Sequence, residues 1–167
     1  MTQPQDEQAR IRSYLQQQAA QRTIDELIRR VQEGMDELAS AARGVPTAAL
    51  TTIPPGEEWS PMDCLRHAAA SNMHVAQQVL FAALEGTLPS NSEPDLPTDR
   101  EAILAKHAEA IDSLYEHVRA ADPGANLELK WKHPFFGDLN WREWLLFLRI
   151  HAKDHSRQLA AMSGQGG

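Results

Sequence analysis

The stretch "LNWREWLLFLRIHAKDHSRQL" (residues 139–159) decides how this chain is read. It is apolar enough for the interior of a helical protein, and no proline or glycine interrupts it. Asn140 with Glu143 forms a capping-box start, and the helix ends before "SGQGG". Within it His151 and His155 stand four residues apart, which on a helix is about 6 Å of rise and about 40° of turn, so the two rings can converge on one point. Trp141, Leu148, Ala152 and Leu159 share their half of the helix, which turns both rings toward the interior. A buried imidazole without a partner costs roughly 1–3 kcal/mol, so each ring must bond a carbonyl, a carboxylate, water or a metal. The pair alone leaves open a shared ion or two separately hydrogen-bonded rings. Tight binding of an ion needs a third ligand from elsewhere.

Outward from this helix the chain punctuates itself. Ile24, Leu27, Ile28, Val31, Met35, Leu38 and Ala42 recur at spacings of three and four, an amphipathic first long helix. Ile11 and Leu15, upstream of the polar "QQQAAQR", fall on another side, so the N-terminal turns pack differently or fray. Residues 44–61 hold too many breakers for a helix and end in Ser60-Pro61, an N-cap followed by an N1 proline. The second helix runs from there to about Glu85 and stops at Gly86. Thr98-Asp99-Arg100-Glu101 reads as a capping box opening a third helix, whose stripe is Leu104, His107, Ile111, Leu114 and Val118 and which Asp122-Pro123-Gly124 ends. "ANLELKWKHPFFGDL" (125–139) is long for a connection and rich in aromatics, so it should pack over something. With no period-two strand pattern and no internal repeat, the expectation is an all-α four-helix bundle in one domain, residues 1–167, with 1–10 and 162–167 as flexible ends.

Composition narrows the function classes. A formal charge of −7 offers no clustered cationic face for phosphate backbones, so nucleic acid is not an expected partner. No run of 18 apolar residues and no basic-then-apolar leader occurs, which points to a cytoplasmic protein with no membrane association. The single cysteine, Cys64, can form neither an internal disulfide nor a thiolate zinc site by itself. Leu146, Phe147 and Ile150 lie off the histidine side of the last helix, which is thus apolar around most of its circumference: it is central or meets a second copy, and a homodimer is expected.

Trp59-Ser60 just before a helix, His67 eight residues after that tryptophan, and G-x-L-x-W-x-x-W-L-x-F-L-x-x-H-x-x-x-H-x-x-Q-L over Gly137–Leu159 resemble the DinB/YfiT-like superfamily. The resemblance implies a four-helix bundle with a divalent metal on three histidines. Carried over by position, the ligands are His67, His151 and His155. Periodicity would not have chosen His67, which lies beside the apolar stripe of Leu65, Ala69, Asn72, Ala76 and Val79; a pocket at the seam of two helices would accept it. Cys64, one turn earlier, lines that pocket or is plain packing. His74, about 10 Å along the axis from His67, is too far to share an ion but placed to line a pocket. His107 reads as a satisfied core residue and His117 as solvent-facing. His133 in "WKHPFFG" either leans over the pocket or belongs to a hydrophobic lid without chemistry.

Glu-x-x-His pairs and H-E-x-x-H are absent, which excludes a ferritin-like di-iron bundle and a zincin protease. Three neutral nitrogens and an open position make a catalytic, not a structural, metal site. Such an ion lowers the pKa of bound water or thiol. Relatives in the superfamily include thiol-dependent transferases and isomerases, so the resemblance implies a metal-dependent enzyme that activates a small thiol or water for a small-molecule substrate. The alternative is a non-catalytic bundle that holds a metal or ligand. Nickel, zinc, iron and manganese all suit such a donor set.

Overall fold

The computed structural model describes residues 4–91 and 93–163. Five helices form: α1 (Pro4–Gln21), α2 (Ile24–Gly44), α3 (Pro61–Glu85), α4 (Arg100–Arg119) and α5 (Trp141–Met162), with a short 3-10 turn at Thr47–Ala49. Helices α2 to α5 make the four-helix bundle. The N-terminal turns neither fray nor continue α2. They are a separate helix that lies along α5 and buries Leu15 and Ala19. Residues 4–10 and Met162, expected in flexible ends, are helical, Met162 buried as the last residue of α5; 1–3 and 164–167 lie outside the described residues.

Helix starts follow local chemistry. Ser60 and Asp63 form a reciprocal capping box at α3, Asn140 and Glu143 another at α5, and Thr23 caps α2 through the Glu26 amide. At α4 the expected box is one residue out of register: Asp99, not Thr98, is the N-cap, and its carboxylate accepts from the Ala102 N–H at 3.0 Å. Asp99 thereby places Ala102 at the third helical position, where no side chain can reciprocate. Gly86 ends α3 in the left-handed region at φ 70°.

Helix α5 packs on both α2 and α3, and α4 closes against α3 and α2. Consecutive helices α2 and α3 are therefore diagonal, as are α4 and α5. That arrangement needs long connections, and residues 45–60 and 120–140 supply them. It also sets α3 directly beside α5, bringing together side chains more than eighty positions apart. Gly34 makes room on the other flank, where an added Cβ would meet the Arg149 carbonyl oxygen at 2.9 Å. Residues 141–148 are all buried within the single chain, so the central position of α5 accounts for its apolar circumference. Arg142 is buried too, its guanidinium donating to the carbonyls of Ala19 in the last turn of α1, of Arg22 just past it, and of Pro123.

The aromatic connection corrects the expectation of no strands. Trp131–His133 (β1) and Gly137–Leu139 (β2) pair antiparallel, Trp131 opposite Leu139 and His133 opposite Gly137. Pro134, Phe135 and Phe136 form a three-residue loop, closed by Gly137 at φ 76°. The hairpin is pinned to the bundle by parallel stacking of Trp131 on Trp144 at 5.4 Å, and by the Trp144 Nε1–H, which donates to the Trp131 carbonyl.

Candidate metal centre

The sequence pattern that makes α5 a core helix also fixes its two histidines on the side facing α3. One ring nitrogen of each is already spoken for. His151 Nδ1–H donates to Asn72 Oδ1 at 2.8 Å, and His155 Nδ1–H donates to Gln158 Oε1 at 2.9 Å. Asn72, fully buried on α3, turns its Oδ1 to His151 and its Nδ2 to His107 Nε2 at 3.1 Å, with the Met35 sulfur as a second, weak acceptor beside the Nδ2. Both Nδ1 atoms being protonated, both Nε2 atoms carry lone pairs, and they face each other 3.1 Å apart.

Two lone pairs at that distance repel unless a proton or a cation lies between them. Burial, followed by the neighbouring His155 and His67, pushes His151 down to about 3, so it stays neutral across the physiological range. A cation fits the donor set. His67, from α3, closes the third side: one nitrogen from each of the three rings falls within 4.8 Å of the others. His67 is more exposed than the other two and is flanked by the Trp59 ring at 4.9 Å; burial and then His155 lower its pKa. Its seam position follows from the α3 stripe, since Leu65, Ala69, Asn72, Ala76 and Val79 are all buried and His67 stands at their edge.

Cys64 lies behind this cluster. Its Sγ is 3.7 Å from His155 Nδ1, the ring edge turned away from His151, and its thiol donates to Gln158 Oε1 at 3.3 Å. Burial, then the charge of Glu57, pushes the thiol up to about 11, so it remains protonated and serves as a neighbour of Gln158. His74 and His133 line a cavity of about 590 Å³ between α3, α5 and the hairpin, into which His67 and His151 also open. A second hollow of about 680 Å³, under the segment before α4, shares His67, Ser71 and His74 with it. Asp154 reaches the cavity rim but is exposed and paired with Arg157. His107 is buried in the core, and exposed His117 hydrogen-bonds the Ser113 carbonyl at 2.7 Å.

Two residues that matter here escaped a functional reading from sequence. Asn72 is polar within an otherwise apolar stripe, which was the available signal. Gln158 follows His155 by three residues, the spacing that brings two side chains together on a helix.

The buried histidines also set a pH dependence. Burial lowers His107 to about 4. The unfolded chain therefore takes up a proton, near pH 6.5, that the folded protein refuses, so stability is full above about 6.5 and declines as pH falls toward 4. For His107 alone the loss is on the order of 3 kcal/mol. Urea midpoints of metal-free protein at pH 7.5 and 4.5 measure it; equal midpoints would refute the assignment.

Comparison with known proteins bears on the family and the fold. The sequence profile of the DinB superfamily matches residues 28–159. Among solved structures, the chain is similar to TT2238, described as a four-helix bundle protein, with 28% identity and a TM-score of 0.58 over 83% of this chain and 99% of that one. No curated protein matches it. Among the described residues no helix is long and apolar enough to cross a membrane.

Proposed function

Because the chain belongs to the DinB superfamily and its three imidazoles converge as a cation would require, we propose that it is a metal-dependent enzyme activating a small thiol or water against a small-molecule substrate. The observation that carries the proposal is the pair of facing Nε2 atoms, each aimed by an amide oxygen behind it. His67, His151 and His155 would hold the ion. When bound, it would act as a Lewis acid that lowers the pKa of thiol or water.

The chain's own residues do the rest. Asn72 and Gln158 hold the tautomers and raise the basicity of the ring nitrogens. Trp59 shields the exposed edge of His67. With no carboxylate in the triad, the positive charge of an ion there would stay undiminished, which favours an anionic thiolate or hydroxide beside it. The half-open 590 Å³ cavity, walled by Trp131, Trp144, Phe136 and Phe147, is of a size to hold a small organic molecule against an aromatic wall.

The test has two readouts. Elemental analysis of the protein as isolated should find nickel, zinc, iron or manganese near one per chain, and much less in His67→Ala. Reconstituted protein should then transfer a low-molecular-weight thiol to an electrophile, or hydrolyse an activated substrate. Bound metal without turnover across both reaction types would leave a non-catalytic metal-binding bundle. No metal from any source would end the proposal.

A further inference from the structure

The hairpin loop uses one histidine in an unusual way. His133, at the end of β1, is 4% exposed, and its Nδ1 accepts two backbone N–H groups of its own loop, from Phe135 at 3.0 Å and from Phe136 at 3.3 Å. An imidazole nitrogen that accepts two donors carries a lone pair, so the ring is neutral and its single proton sits on Nε2. Phe136 stacks on the ring at 4.4 Å and Phe147 meets it edge-on at 4.4 Å, which holds the ring in place, and a proton on Nδ1 would break both bonds that close the turn. Burial reinforces this, lowering His133 to about 4.

The remaining polar atom is then a committed donor. Among the described residues the sealed side-chain polar atom without a partner is Tyr115 Oη, so His133 Nε2, which meets no protein acceptor, is not sealed in. His133 lines the cavity together with His67 and His151, so that cavity is where the unsealed Nε2–H can find an acceptor. The rings packed against His133 are those of Phe136, Phe147 and Trp144, none of which carries an oxygen acceptor, and the polar residues of the lining, Gln78 and Asp154 among them, make no bond to it.

We propose that this cavity takes an uncharged, largely apolar carbonyl compound, and that His133 Nε2–H donates a hydrogen bond to its oxygen. The proposal deepens the metal-site reading by naming the class of its second substrate, and His133 would be a substrate-binding residue that polarises the carbonyl. A donor that is neutral and fixed in place reorganises little as negative charge grows on the oxygen it holds. The hydrogen bond also selects, because a compound of the same shape without the oxygen leaves Nε2–H unpaired in an apolar wall.

The test uses metal-free protein and a matched pair of probes, benzophenone and 1,1-diphenylethylene, which differ by C=O against C=CH2. Binding is followed by the indole N–H signals of Trp131 and Trp144. The preference for ketone over alkene should be roughly three- to tenfold greater in the wild type than in His133→Asn, the worth of one hydrogen bond. Asparagine can still accept from the amide two residues on, which preserves the turn. In wild-type protein the 15N signal of His133 Nε2 should shift with benzophenone and stay in place with the alkene. Equal preference in the two proteins, an Nε2 signal moved alike by both probes, or failure of both probes to bind would overturn the proposal. Metal content is a separate measurement, so a protein that holds metal without discriminating sinks this inference alone, and one that discriminates without metal sinks only the metal reading.

Discussion

His151→Ala protein is expected to leave the cell with essentially no bound metal, its affinity for added nickel or zinc lower by at least about a thousandfold, and with thiol transfer lost. The size of the effect follows from the donor set. Of the three rings, His151 is the one whose burial pushes it down to about 3, so its nitrogen stays available to a cation. Its loss leaves His155 and the exposed His67, and two imidazole nitrogens cannot hold a divalent ion tightly. His117→Ala is the matching control. That ring is exposed on α4 and bonds only to Ser113, so metal content should not change. Calorimetric titration of both variants, beside elemental analysis, reads the result. A His151→Ala protein that retains metal within tenfold of the wild-type affinity would show that the triad is not the site.

The site was legible to the extent that its chemistry is local. Asn140 with Glu143, Ser60 with Pro61, and Gly86 each announce a helix end through bonds made within a few residues, and the structure places α3 and α5 where those signals stand. His151 and His155 are readable as a pair for the same reason, because a spacing of four residues sets the geometry before any tertiary contact forms. His67 is different. That it meets α5 depends on α2 and α3 being diagonal neighbours, a fact of bundle topology that no spacing encodes, and only the family resemblance pointed to it. Two features stayed hidden for a related reason. Strands of three residues are too short to show alternation, so the hairpin looked like an aromatic loop. The break at Arg22 and Thr23 is secured by Arg142, more than a hundred positions away, which takes up the carbonyls that α1 leaves open.

Asn72→Leu is expected to cost metal affinity about ten- to a hundredfold and the folded state about 2–5 kcal/mol, although Asn72 would not touch the ion. The side chain is fully buried and serves two histidines at once, accepting from His151 Nδ1–H and donating to His107 Nε2. Leucine, branched like asparagine though bulkier, leaves a donor and an acceptor unpaired in the core, each worth roughly 1–3 kcal/mol. It also frees His151 to place its proton on Nε2, where it would face His155 and spoil the ligand. Asn72→Asp separates the two roles. The carboxylate still accepts from His151 and, if anything, makes it a better ligand, so metal affinity should stay within about threefold of wild type. It offers His107 no donor, so the stability loss remains at neutral pH. It should shrink as pH falls and His107 takes up the proton that lets it donate to the carboxylate, the reverse of the wild-type trend between 6.5 and 4. Metal titrations and urea midpoints of the two variants across that range check both halves. If Asn72→Leu binds metal as the wild type does, the amide is structural and the tautomer of His151 does not depend on it.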